Sequence, residues 1–160
     1  MAELISPTVR LRESWRASRE EWGRDVHQDG AGLRADDDVD STVGFARWVG
    51  RLLRQADTSR PVGDGRVHAS YWWIAEDDTY LGAITLRHEL NDFLLRAGGH
   101  IGYGIRPSAR GRGLATWALR SVLVRAPALG VLEDVRETEL GLTRRYWISL
   151  GRGRAVSMAA

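Results

Sequence analysis

The stretch from Ile101 to Val124, IGYGIRPSARGRGLATWALRSVLV, decides how the rest of the chain is read. His100 to Arg106 alternates as a strand, and Pro107 stops it because proline brings no amide to a ladder. A turn follows through Ser108-Ala109-Arg110-Gly111-Arg112-Gly113. From Leu114 the apolar positions Leu114, Trp117, Ala118, Val122 and Val124 take up a helical period, which Pro127 closes after Ala126. The first turn of a helix offers unpaired N–H groups at a positive dipole end, and so makes an anion site. Glycines let the backbone approach a phosphate and adopt positive φ. Arg110 and Arg112 add fork-shaped donors. The strand–turn–helix unit therefore predicts a phosphate-bearing ligand. On composition alone, a solvated connection competes with that reading.

Upstream, Val9 to Trp22 is dense in Arg and Glu, with Leu11, Trp15 and Trp22 at helical spacing, as expected of an amphipathic helix. The following loop holds Asp29-Gly30-Ala31-Gly32 and the acidic triplet Asp36-Asp37-Asp38. That triplet lacks the spacing of an oxygen-ligand loop and reads as a solvated turn rather than a metal site. Ser41 or Thr42 can cap a second helix, in which Phe45, Trp48, Val49, Leu52 and Leu53 fall on one face and which ends near Ala56. Val67 to Ala75 and Tyr80 to Leu86, joined by Glu76-Asp77-Asp78-Thr79, read as an antiparallel hairpin. The adjacent Trp72 and Trp73 send one ring to each face of their strand. Downstream, Val131 to Arg136 and Arg144 to Leu150 read as a closing hairpin, with 151–160 as a frayed tail. Helices, a hairpin, then strand–turn–helix make a single α/β domain over 1–150.

The totals suit that picture. A chain of 160 residues, 43% hydrophobic and 28% charged, can bury one core. No apolar run approaches a membrane span, and Met1 to Ile5 lacks the pattern of a secretory leader. The expectation is a cytoplasmic protein that takes no membrane partner. With no cysteine there is no disulfide, thiolate ligand or thiol nucleophile. All 23 basic residues are arginine, so the isoelectric point is about 9.5 although the net charge is only +2. Without lysine there is no Walker-type phosphate loop, and the dinucleotide fingerprint G-x-G-x-x-G is absent. Arg-Gly-Arg-Gly recurs in near form at Arg110–Gly113 and Gly151–Arg154. Low net charge and interleaved carboxylates nevertheless argue against a nucleic-acid partner.

Arg110-Gly111-Arg112-Gly113-Leu114-Ala115 resembles the R/Q-x-x-G-x-G/A signature of the GNAT superfamily of N-acetyltransferases. Pro107 and the strand before it stand where that family has them. Tyr71-Trp72-Trp73-Ile74, Leu81-Gly82, Leu86-Arg87-His88, Gly98-Gly99-His100-Ile101-Gly102-Tyr103, Gly130-Val131-Leu132-Glu133-Asp134 and Arg144-Arg145-Tyr146-Trp147-Ile148 look like a bacterial branch of it, so the similarity spans about residues 40 to 150. The resemblance implies a mixed, mostly antiparallel sheet flanked by helices. It also implies acetyl-CoA as co-substrate and a small-molecule or peptide amine as acceptor. Backbone amides of Arg110, Gly111, Arg112, Gly113, Leu114 and Ala115 would bind the pyrophosphate. Gly104, Ile105 and Arg106 would pair with the pantetheine arm, and a strand N–H would polarise the thioester carbonyl as an oxyanion hole does.

The family pattern usually inserts another strand and helix before the closing hairpin. Here Ala128-Leu129-Gly130 runs straight into Val131, so the C-terminal part looks shortened. Two rearrangements would fill the gap: Val131 to Arg136 pairing beside Ile101 to Arg106, or a homodimer exchanging hairpins. The first is the expectation. For the chemistry, His100 is a candidate base, Tyr103 and Tyr146 are candidate acids, and His88 and Glu89 are candidate lining of the acceptor pocket. Each has a structural reading beside it: a histidine bonded within the sheet, packed aromatic surface, an ordinary strand end. An acyl-CoA-binding domain without turnover is the alternative function.

Overall fold

Trp72 and Trp73 are neighbours in an extended segment, and the opposite exits of their rings set out the layers. The computed structural model describes residues 1–63, 65–131, 134–140, 143–150 and 154–159, the last three stretches by the course of their backbone. Four strands, β1 (Glu3–Ile5), β2 (Ala69–Glu76), β3 (Thr79–Arg87) and β4 (Ile101–Ile105), form an antiparallel sheet in that order. Helices α1 (Arg12–Trp22) and α2 (Thr42–Arg54) cover one face, and α3 (Leu114–Arg125) covers the other. This is the expected α/β architecture, a mostly antiparallel sheet flanked by helices.

On the α1–α2 face, Trp73 meets Trp48 at 5.7 Å and Tyr80 at 5.3 Å between ring centroids, and Trp15 meets Trp48 at 4.8 Å. Trp15, Phe45, Trp48 and Trp73 are all fully buried. On the other face, Ile74, Ile84, Leu86 and Ile101 pack against Leu114, Ala118 and Val122 of α3. Trp72 lies at the margin of that core, under the guanidinium of Arg125 at 5.7 Å. The tryptophans are therefore chiefly core filling. Ser41 caps α2 as its sequence suggests, accepting the Gly44 N–H at 3.0 Å.

Several elements differ from expectation. β1 is three residues long, too short for a period to show, and it pairs with the far edge of β2. The irregular stretch after Asn91 contains a π-helical turn, Leu94–Gly98. After α3 the chain makes a 3₁₀ turn, Pro127–Leu129, then passes Gly130 at φ +76°. Strand β5 (Asp134–Leu140) pairs antiparallel with β6 (Thr143–Leu150), and β6 pairs with β7 (Arg154–Ala159).

The expected pairing of Val131 to Arg136 with the pre-turn strand is absent among the described residues. β4 is the edge of its own sheet, and β5 joins a separate three-stranded one. A hairpin closes a short loop and fills its ladder locally, at lower entropic cost than a crossover to a parallel neighbour. The same logic gives 154–159 a partner, because the second edge of β6 offers backbone groups that a chain end can satisfy. No helix among the described residues is long and apolar enough to cross a membrane.

Replacing Trp48 with Ala should remove about 3–5 kcal/mol of stability by opening a cavity between α2 and the sheet. Urea denaturation followed by far-UV circular dichroism would read this as a lowered midpoint.

Candidate functional site

The last ladder bond before the turn is donated by the Arg106 N–H to the Leu81 carbonyl, at 2.8 Å. Pro107–Ala109 then makes a single 3₁₀ turn, and Arg110 returns to extended backbone. Gly111 and Gly113 follow at φ +77° and +75°. A Cβ at either glycine would meet nothing within 4 Å, so it is the left-handed backbone and not crowding that calls for glycine. Gly113 is the residue before α3, and no side chain caps the helix there. The amides of its first turn open on a cavity of about 720 Å³ lined by Trp22, Ile105, Arg110, Gly113, Leu114 and Ala115, among others.

The two arginines of the turn part company. Arg110 stays at the cavity, its guanidinium 4.5 Å over the Trp22 ring and its Nε donating to the Ile105 carbonyl at 3.3 Å. Arg112 is drawn away to Glu76, 3.0 Å off at the end of β2, and its side chain does not line the cavity. Glu76 also holds the N-terminal ammonium at 3.3 Å.

Glu21, at the end of α1, fastens the turn from the other side. Arg106 Nε donates to one carboxylate oxygen at 2.7 Å, and the Ser108 N–H donates to the other at 3.0 Å. The Arg106 hydrogen bond, helped by Ser108, holds the Glu21 carboxyl at about 2, well below its ordinary 4.5. Helix α1 thereby brings Trp22 over Arg110.

The register of β3 and β4 decides which backbone groups face outward. Bonds from the Arg87 N–H to the His100 carbonyl and from Arg106 to Leu81 fix the alternation. His100, Gly102, Gly104 and Arg106 therefore bond towards β3, while Tyr103 and Ile105 direct their N–H and C=O to the opposite edge. Of the three residues expected to pair with pantetheine, Ile105 has the outward backbone. Gly104 and Arg106 spend theirs in the ladder.

A second cavity, of about 710 Å³, meets the first at Trp22 and Tyr103, which line both. Its near wall is the loop 28–32, laid directly on β4. A Cβ on Gly30 would stand 2.6 Å from the Gly102 carbonyl and from Tyr103 Cα, and a Cβ on Gly102 would collide with the Asp29 carboxylate. Bare backbone on both sides is what admits Asp29 to this position.

The remaining expected site residues are scattered. His100 is fully buried and lines neither cavity; its Nδ1 is 2.7 Å from the Arg87 carbonyl, and Nε2 has no partner among the described residues. Burial lowers its pKa, and it outweighs the opposing pull of the Arg87 carbonyl bonded to Nδ1. Tyr103 is half-buried at the junction of the cavities. The Tyr146 side chain lies outside the described residues; its backbone pairs with Glu137 and Met158. His88 Nε2 is 2.8 Å from Ser70 Oγ, and Glu89 is 3.2 Å from His68 Nδ1. Neither His88 nor Glu89 lines either of these two cavities. Sequence reasoning missed Trp22, Glu21 and Asp29. Trp22 was visible only as a periodic apolar position, and Asp29 only by its place before Gly30.

Compared with known families, residues 33–150 match the model of the acetyltransferase (GNAT) domain. No curated protein and no solved structure matches the chain.

Replacing Glu21 with Gln should cost about 1 kcal/mol at pH 7, most of the pair's strength being screened by solvent. Because the folded carboxyl titrates below its ordinary value, its contribution is complete above pH 4.5 and is lost as the pH falls towards 2. Urea midpoints of the two proteins should therefore stay apart from pH 5 to 8 and converge as the medium is acidified below 4.5.

Proposed function

The chain belongs to the GNAT acetyltransferase family, and on that premise we propose that it transfers an acetyl group from acetyl-CoA to a primary amine. The observation that carries this reading is the amino end of α3, uncapped by any side chain and open to a cavity beside Arg110. A diphosphate there would receive backbone N–H groups, the positive end of the helix dipole and a guanidinium already oriented by Trp22. The pantetheine arm would lie along the outer edge of β4 and use the backbone of Ile105. Its thioester would then reach the Trp22–Tyr103 junction, where the second cavity delivers the amine.

The chemistry at that junction is simple to balance. The lone pair of a neutral amine forms a C–N bond to the thioester carbonyl carbon, and a fixed amide donor stabilises the charge gathering on the carbonyl oxygen. Collapse breaks the C–S bond. The nitrogen sheds one proton and the departing thiolate takes one up. We assign the second transfer to the Tyr103 hydroxyl, the phenol at the meeting point of the two cavities. His100 takes no part, because it reaches neither cavity.

Calorimetric titration with coenzyme A and acetyl-CoA tests the reading directly. Replacing Gly113 with Ala forces a side chain into left-handed backbone at a cost of about 1 kcal/mol, and should weaken coenzyme binding about fivefold. Removing Arg110 (Arg110→Ala) should weaken it about tenfold, in line with one charge-assisted hydrogen bond. Tyr103→Phe should lower kcat for thiol release while leaving coenzyme affinity in place. A protein indifferent to coenzyme A would sink the proposal. Binding without thiol release across a panel of amines would leave a coenzyme-binding domain that has no turnover.

A further inference from the structure

The second cavity is built around cations. Arg34, Arg51, Arg66 and Arg87 line it, and Asp29 is the one carboxylate lining it among the described residues. Two of the four arginines are already engaged. Arg51 pairs with Asp37 and donates to the Gly32 carbonyl at 2.9 Å. Arg87 donates to the carbonyls of Gly98 and Gly99 at 2.8 and 2.9 Å, and stands 3.5 Å from Asp29. Asp37 is further occupied by the Arg34 backbone N–H at 2.8 Å. The guanidinium groups of Arg34 and Arg66 have no hydrogen-bond or ion-pair partner among the described residues.

Arg34 is half-buried, and Arg51 and Arg66 are both close enough to repel it. Burial first, and those two charges second, pull its pKa below the usual arginine value, with Asp37 and Tyr71 opposing them. Asp37, already held by Arg51, attracts the Arg34 guanidinium without forming an ion pair with it. A partly desolvated guanidinium so placed is costly, and the cost is offset when a ligand supplies a further anion. Asp29 lies apart from this group, against Gly102 of β4. The cavity is thus divided: a carboxylate stands beside β4, and half-buried Arg34 and exposed Arg66, without an ion-pair partner among the described residues, stand elsewhere on the wall.

Resting on the acetyl-transfer reading above, we propose that the acceptor is a small amine that also carries a carboxylate or phosphate, which Arg34 and Arg66 hold. Charge argues against the opposite class, because a polyamine or other polycation would meet four arginines, two of them without an ion-pair partner among the described residues. The volume, about 710 Å³, suits a small molecule. Arg34 sits in the loop after α1 and Arg66 in the one after α2, so the anion would also tie those two loops together.

Four primary amines serve as probes: glutamate, which adds carboxylates to the amine, phosphoethanolamine, which adds a phosphate, ethanolamine, which adds no charge, and putrescine, which adds a second ammonium. Each is followed by thiol release from acetyl-CoA, and by calorimetric titration into protein saturated with coenzyme A. One of the two anionic amines should show a KM at least tenfold below those of ethanolamine and putrescine, and which one does names the anion. Arg34→Gln and Arg66→Gln should each raise that KM about tenfold while coenzyme A affinity stays as it was. A preference for ethanolamine or putrescine, or variants that leave the anionic amine's KM in place, would overturn the inference and leave acetyl transfer standing. Should no amine release thiol, calorimetry decides. Binding of an anionic amine that weakens in Arg34→Gln upholds the anion site and counts against transfer. No anion binding by either method overturns the site.

Discussion

The contact that most constrains this molecule is the one between the backbone at Gly30 and the backbone of β4 at Gly102 and Tyr103. No side chain fits between them. Because the surfaces touch as bare chain, the loop after α1 cannot ride higher or slide without losing the contact, and Asp29 is pinned over the strand. That strand is the one that leads into the glycine-rich turn. The loop 28–32 and the uncapped amino end of α3 are therefore two ends of one path: loop on strand, strand into turn, turn into α3. The Glu21 clasp works on the same path from outside, since it holds both the side chain that ends β4 and the first free amide of the turn.

How far the sequence could lead depends on the range of the interaction involved. Helix α2 was legible down to its cap, because Ser41 and the spacing of Phe45, Trp48, Val49 and Leu52 act within the helix itself. The β2–β3 hairpin was legible for the same kind of reason, as was the opposite facing of Trp72 and Trp73. The turn announced itself through Pro107, Gly111 and Gly113, residues chosen for backbone geometry. Partner choice was not legible. Arg110 and Arg112 are equivalent in sequence, yet one lies on Trp22 and the other crosses to Glu76, because each long side chain takes whichever countercharge or ring the tertiary fold brings near. His100 looked available for catalysis as a histidine beside the turn. Its parity in the strand sends it inward, and nothing local reveals that parity. The pairing of β5 escaped for a related reason: a strand's neighbour is settled by competition between ladders, not by its own alternation.

Parity also links the fold to the chemistry. In an antiparallel ladder successive residues face opposite edges, so a slip of one residue between β3 and β4 would turn Gly104 and Arg106 outward and Ile105 inward. The observed register is held at both ends, by Arg87 bonding to His100 and by Arg106 bonding to Leu81. The outward carbonyl of Ile105 is then where Arg110 finds its acceptor. That bond, at 3.3 Å, is long for a charged donor and so is weak. The stack on Trp22 restrains the guanidinium plane independently of it. Arg110 can thus give up the carbonyl without losing its place, and most of its N–H donors have no partner among the described residues. A residue held by its face and only lightly by its edge can exchange a backbone oxygen for a phosphate oxygen at little cost in ordering. By the same exchange, the Ile105 carbonyl is released to pair with whatever lies along the strand.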